Sequence, residues 1–383
     1  MARALYIHWP FCLAKCPYCD FNSHVRDRVD HAQWEAAMLA DMRHEESIAG
    51  GEPLRSVFFC GGTPSLMPPA LVARLLDETE RLWGFAEGVE ITLEGNPSSV
   101  EAANYADLRL AGINRASLGL QALDNATLRF LGRLHDADEG LRALAVAQRT
   151  FERVSFDLIY ARPGQTVAQW QAELDRALAF GTGHLSLYQL TIEPGTRFAT
   201  MVRQREFAPL DDDAAADLFA LTQAITAAAG LPRYEVSNHA RPGEESRHNL
   251  AYWRYQDTAG IGPGAHARRS GMACVRHKKP ENWLDAVAER GHGICEERPL
   301  GLAEQASEAL LMGLRLSEGI DLAALSARFA LPVSALCDQA KLDFYTAQGL
   351  CWKQGARIGV SNAGIPLLDG LLAELVPAGL LAA

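Results

Sequence analysis

The chain has 383 residues, 48% of them hydrophobic and 22% charged, an ordinary globular mixture with material for a large core. Its formal net charge of −11 argues against a general nucleic-acid binder, which needs a basic excess to meet phosphates. No run of roughly 18 apolar residues is available to span a membrane, and the opening residues Met1 to Trp9 lack an apolar stretch of signal-peptide length. A cytoplasmic location is expected; there the eight cysteines stay reduced, and three crowded into the first twenty residues suggest metal rather than disulfides.

In chain order, strands are predicted at Leu5 to Trp9, Ser56 to Phe59, Val89 to Leu93, Arg115 to Leu118, Val154 to Ile159 and His184 to Gln189. Helices are predicted between them at Gln33 to Ile48, Pro69 to Trp83, Leu141 to Arg149, Val167 to Phe180 and Asp213 to Ala229, with Pro69 suited to a first turn. Repeated strand–helix alternation implies an α/β fold with a parallel sheet, curved or closed into a barrel, whose strand C-terminal ends build the site. The division expected is a β/α barrel over 1–240, a connecting segment over 241–300 rich in Gly, His, Arg and aromatics, and a C-terminal domain over 301–383. In that last part, helices at Leu302 to Leu316, Leu322 to Phe329 and Val333 to Gln348 precede a hairpin, Leu350 to Lys353 with Arg357 to Val360, and a helix from Asn362 to Leu375. Helices followed by a hairpin resemble a winged-helix α+β unit.

The first strand runs into Cys12-Leu13-Ala14-Lys15-Cys16-Pro17-Tyr18-Cys19. A structural zinc site wants four ligands, and no partner C-x-x-C follows anywhere. A [4Fe–4S] cluster usually takes four thiolates, so three on one loop leave an iron open to chelation by a substrate or cofactor. Cys60-Gly61-Gly62-Thr63-Pro64 ends the second strand, where glycines allow backbone to approach a ligand. Glu94 follows the third strand, Gln121 the fourth, and Asp157 lies in the fifth; such positions converge on a barrel mouth, and Arg133 beyond a short helix can balance a carboxylate.

C-x3-C-x2-C directly after a first strand resembles the radical-SAM superfamily. Tyr6-Ile7-His8-Trp9-Pro10-Phe11-Cys12, Gly61-Gly62-Thr63-Pro64-Ser65, Ser117-Leu118-Gly119-Leu120-Gln121 and Asp157-Leu158-Ile159-Tyr160 narrow the likeness to the oxygen-independent coproporphyrinogen oxidase group, over essentially the whole chain. The resemblance implies a partial (β/α)6-type barrel, a [4Fe–4S] cluster on Cys12, Cys16 and Cys19, and S-adenosylmethionine on the open iron. It also implies cofactor contacts from Tyr6, Gly61, Gly62, Thr63, Glu94, Gln121, Arg133 and Asp157, with Tyr18 beside the adenine. Relatives commonly carry Gly at position 60, so Cys60 reads as a small buried residue rather than a fourth ligand.

Two departures separate this chain from the oxidases of that group. They carry a further cysteine where Phe21 stands, and a longer arm before the cluster loop. His248-Asn249-Leu250-Ala251-Tyr252-Trp253 instead resembles the H-N-x-x-Y-W signature of HemW-type heme chaperones. That resemblance implies heme as cargo with His248 as axial ligand, a membrane respiratory acceptor protein and a possible homodimer, with no nucleic-acid partner. Imidazole is a common ligand of heme iron, and Tyr252 and Trp253 offer broad apolar faces. His266 is a second candidate ligand. Arg268, Arg269, Arg276, Lys278 and Lys279 read as a solvated basic face. The rival activities are oxidative decarboxylation of coproporphyrinogen III and radical modification of tRNA.

Overall fold

All six predicted strands form: β1 Ala4–Trp9, β2 Leu54–Gly61, β3 Phe85–Gly95, β4 Arg115–Gln121, β5 Arg153–Tyr160 and β6 His184–Gln189. They are seen in a computed structural model that describes residues 3–26 and 28–381. Each pairs in parallel with the next, with Ile7 opposite Phe59 and Phe59 opposite Leu93. The principal helices between them are α1 His31–Ala49, α2 Pro69–Trp83, α3 Ala137–Thr150, α4 Val167–Leu178 and, after β6, α5 Asp212–Ala228. Pro69 occupies the first turn of α2, where its missing N–H costs nothing. Helix α3 begins four residues before its first apolar position, because Asp136 caps it by accepting from the Glu139 N–H.

The two-residue period of a strand sorts the side chains into layers. Leu5, Ile7, Val57, Phe59, Ile91, Leu93, Leu118 and Phe156 point outward into one core with the helices. Their neighbours Tyr6, His8, Phe58, Cys60, Glu94, Arg115, Ser117 and Asp157 line the concave interior. The lumen therefore mixes polar side chains with aromatic rings, while the outward face of the strands is apolar.

The pattern break after Arg241 is not a linker. A short strand β7 Asn238–Ala240 pairs antiparallel with β6, and helix α6 Arg247–Trp253 follows, capped by Ser246 accepting from the Asn249 N–H. Strand β8 Thr258–Ile261 then joins β1 in parallel on the side away from β2. Strands β9 His266–Arg269, β10 Met272–Arg276 and β11 Ile294–Pro299 continue antiparallel, with helix α7 Pro280–Arg290 between the last two. Among the described residues the sheet has eleven strands in the order β11-β10-β9-β8-β1-β2-β3-β4-β5-β6-β7, an open barrel rather than a closed one. These late strands were illegible because charged residues occupy them. Arg269 and Arg276 are buried in ion pairs with Glu45 and Asp41 of α1, which overturns the expected solvated face for those two residues.

The C-terminal residues form a second core. Helices α8 Leu302–Gly313 and α9 Leu322–Phe329 appear as read, but the third predicted helix breaks at Cys337-Asp338 into Val333–Leu336 and α10 Gln339–Ala347. Asp338 accepts from the Lys341 N–H and so starts a new helix instead of continuing the old one. The hairpin, β13 Cys351–Gln354 with β14 Arg357–Val360, is joined by β12 Ile320–Asp321. The last predicted helix opens with a 3-10 turn at Ile365–Leu367, where Pro366 lacks a donor, and runs as α11 Leu368–Leu375. Among the described residues no helix is long and apolar enough to cross a membrane.

Candidate functional site

The cluster loop leaves the barrel because aromatic packing fixes its first residue. Trp9, Phe11, Trp34 and Trp283 interlock, Phe11 meeting Trp34 edge-on at 5.0 Å and Trp34 stacking on Trp283 at 5.2 Å. Each buried ring contributes on the order of 1.5–3 kcal/mol relative to exposure. The loop closes when Phe11 and Cys12 pair with His24 and Val25. Its far side rests on the Phe198 N–H, which donates to the Pro17 carbonyl at 2.9 Å. Its near side is held by Asn22, whose Nδ2 donates to the carbonyls of Pro263 (2.9 Å) and Lys278 (3.0 Å). Gly264 sits at φ +78°, and a Cβ there would fall 2.5 Å from Asn22 Nδ2. The Gly262–His266 turn thus props the cluster loop.

Cys12, Cys16 and Cys19 open into a chamber of about 560 Å³ at the C-terminal ends of the barrel strands. The same chamber is lined by Tyr18, Gly61, Gly62, Thr63, Glu94, Gln121, Arg133 and Asp157, eight of the residues expected around the cofactor. Among the described residues no group of three His, Cys, Asp or Glu is arranged to hold a single metal ion. Three thiols on one short loop are the donor type that iron–sulfur clusters take.

The donor set also suits the cofactor. Among the described residues Gln121 Oε1 and Arg133 Nε are buried without hydrogen-bond partners in the chamber wall, and Gln121 takes a left-handed φ of 69°. Unpaired buried polar atoms on a strained residue favour a polar ligand. The twin glycines have a different reason. A Cβ on Gly61 would fall 2.6 Å from the His8 ring, and one on Gly62 would fall 2.6 Å from the Phe11 carbonyl. Protein fills the space that the absent side chains leave.

Burial pushes the Glu94 carboxyl up to about 7, aided by the Asp157 charge and opposed by Cys60. Burial likewise raises Asp157 to about 6, against a hydrogen bond from Ser186. Two carboxyls poised near neutrality are good hydrogen-bond donors as well as acceptors for sugar hydroxyls. Burial raises the Cys12 and Cys19 thiols, while Thr63 and the Phe21 N–H respectively work in the opposite direction.

Tyr6 stands apart from this group. It opens into a second chamber of about 810 Å³ in the barrel lumen, and its hydroxyl bonds His8 Nδ1 at 2.9 Å. His8 Nε2 must donate to the Asn22 carbonyl (2.9 Å), so Nδ1 is the acceptor and Tyr6 the donor. Burial lowers His8 to about 4, keeping that tautomer neutral. His248 lines the same lumen from α6. Its backbone N–H donates to Glu90 (3.1 Å), its Nδ1 bonds Ser56 Oγ (3.2 Å), and its ring stacks on Phe58 at 4.8 Å. Burial lowers it to about 4 as well. The two chambers share Asp20, Phe21, Gly61, Glu94, Ser117, Asp157 and Tyr188 as a common wall.

Comparisons with known proteins meet this geometry. The family described as the Radical SAM superfamily matches residues 6–177, and the HemN C-terminal domain matches residues 300–367. The Escherichia coli K12 heme chaperone HemW is 40% identical over 96% of this chain and 97% of its own length. The chain belongs to the radical-SAM superfamily, in its HemW-type branch. A mouse protein, radical S-adenosyl methionine domain-containing protein 1, mitochondrial, is 38% identical over 98% of this chain and 87% of its own. The solved structure of E. coli coproporphyrinogen III oxidase (HemN), described as a radical SAM enzyme, superposes with TM-score 0.81 at 22% identity, covering 97% of this chain and 89% of that one. That last likeness shows the fold.

Within this HemW-type frame, other residues take new places. His266 is exposed at the mouth of the lumen chamber with Arg268 and Lys278, and Arg268 is already paired with Glu308 at 3.1 Å. Phe21, where oxidases of the group have cysteine, is 55% exposed and bridges both chambers. Asn96 was missed by sequence reasoning. It lies between Thr63 and Arg133, bonding both, and only the strand register brings the three together.

Proposed function

We propose that this protein is a heme chaperone that binds heme, holds a [4Fe–4S] cluster on Cys12, Cys16 and Cys19 with S-adenosylmethionine beside it, and hands heme to a membrane respiratory acceptor. A cytoplasmic location and a homodimer belong to the same reading. One observation carries it: His248 of the H-N-x-x-Y-W motif stands in a lumen of about 810 Å³ with Nδ1 tied to Ser56 and, among the described residues, no hydrogen-bond partner on Nε2. A neutral imidazole with one nitrogen anchored and the other free is what axial ligation of heme iron requires. Tyr252 and Met312 line the chamber toward its mouth and provide apolar contact for a macrocycle. When bound, S-adenosylmethionine would fill the cluster's open coordination position, with Gln121 Oε1 and Arg133 Nε free to receive its methionine end. Phe21 in place of a further cysteine and the name of the 40%-identical relative support delivery over porphyrin chemistry.

The test is an anaerobic heme titration on wild type and His248→Ala, with and without S-adenosylmethionine, followed by a decarboxylation assay on the same samples. Wild type should bind heme with a Soret band of an imidazole-ligated iron. His248→Ala should weaken binding about tenfold or more, ~1.4 kcal/mol, and shift that band. An unchanged titration removes His248 as ligand, and robust decarboxylation of coproporphyrinogen III sinks the chaperone reading.

A further inference from the structure

Arg133 reaches two of the three cluster thiols by different routes. Its Nη1 donates directly to Cys16 Sγ at 3.4 Å. Its Nη2 donates to Asn96 Oδ1 at 2.5 Å and to the Gly119 carbonyl at 2.8 Å. A guanidinium can only donate, so the Asn96 oxygen must face it and the Asn96 amide nitrogen must face the other way. That nitrogen lies 3.1 Å from Thr63 Oγ1 and donates to it. The Thr63 hydroxyl hydrogen is then left for its remaining neighbour, Cys12 Sγ, at 3.4 Å. Every donor in the chain Arg133, Asn96, Thr63, Cys12 points toward the sulfur.

The geometry points to Asn96 and Thr63 as positioning residues that set the reduction potential of the cluster, carrying the polarisation of Arg133 to Cys12. A cluster that accepts an electron becomes more negative, and hydrogen bonds to its thiolates stabilise that reduced state more than the oxidised one. Successive donors facing one way polarise each other, so the charge on Arg133 strengthens the final O–H···S bond. Among the described residues Asn96 makes no hydrogen bond to a cysteine sulfur, yet it decides the direction in which the Thr63 hydroxyl points.

The inference rests on the reading of the three cysteines as cluster ligands. It is tested by redox titration, followed by electron paramagnetic resonance, of the anaerobically reconstituted full chain without S-adenosylmethionine. Thr63→Val should lower the reduced-to-oxidised ratio at the wild-type midpoint about tenfold, ~59 mV for one electron. Asn96→Ala should shift it in the same direction, by about threefold or more, and Thr63→Ser should stay within about threefold of wild type because it keeps the hydroxyl. A wild-type potential in loaded Thr63→Val overturns the inference, as does a Thr63→Ser shift as large as that of valine. If Thr63→Val assembles no cluster, Asn96→Ala decides alone, and an unmoved potential there overturns it. A residue serving only to bind S-adenosylmethionine would leave this measurement unmoved. Wild type that takes up no iron would instead refute the cluster reading itself.

Discussion

Cys16→Ala protein, reconstituted anaerobically with iron and sulfide, is expected to stay colourless, with iron per chain falling from a full cluster to background. Two protein thiolates cannot hold a cube that already leaves one iron to an outside ligand. The loss should be chemical and not a failure to fold. The loop's backbone is fixed by Phe11 in its aromatic nest, by the Phe198 N–H on Pro17, and by Asn22 on the Gly262–His266 turn, none of which involves the Cys16 sulfur. The direct donor to Cys16 Sγ, Arg133 Nη1, also lies near the Tyr18 hydroxyl and keeps a partner. The far-ultraviolet circular dichroism of the apo variant should therefore match that of wild type. A full brown cluster in Cys16→Ala would refute the assignment of the loop.

Asp41→Ala is expected to cost roughly 3–5 kcal/mol of stability, the range for breaking one partner out of a buried ion pair. Asp41, Glu45, Arg269 and Arg276 are all at most 1% exposed and form one network. Arg276 Nε donates to Asp41 at 2.7 Å and its Nη2 to Glu45 at 2.8 Å; Arg269 Nε donates to Glu45 at 2.6 Å. Asp41 also accepts the backbone N–H groups of Gly262 and Gly293, each at 3.1 Å. Burial works against the Glu45 carboxylate, but the two arginines hold it below the usual range. Removing Asp41 leaves Arg276 only Glu45, which Arg269 already shares, and strips two buried backbone amides of their acceptor. Urea unfolding of the apo chain measures the cost, and a loss under about 1 kcal/mol would reject the account. Replacing Asp41 and Arg276 together by apolar residues should cost less than Asp41→Ala alone, because no charge is then left unpaired.

The legible part of the site was the part carried by contiguous residues or by strand ends. The three cysteines share one loop, so their C-x3-C-x2-C spacing stands in the sequence itself. Thr63, Glu94, Gln121, Arg133 and Asp157 follow from parallel strands, whose C-terminal ends must gather on one side. Asn96 and His8 were not readable in the same way. Their roles depend on which neighbour the register and the turns deliver: Asn96 between Thr63 and Arg133, His8 between Tyr6 and Asn22. Tyr6 was expected among the cofactor contacts; it lines the lumen with His248, on the same inward face as Glu94 and Asp157, which reach both chambers.

The sequence by itself determined the barrel's six parallel strands, the cluster loop and the helices-then-hairpin C-terminal domain, because periodicity and local spacing are properties of neighbouring residues. Only the tertiary structure decided that residues 241–300 extend the same sheet, that Arg269 and Arg276 are buried, and that His248 faces a lumen joined to the cysteine chamber. The partners there are more than 190 residues away: β1 for β8, Glu45 and Asp41 for the two arginines, and Ser56 for His248. No local pattern encodes which distant group will neutralise a charge or leave an imidazole nitrogen free.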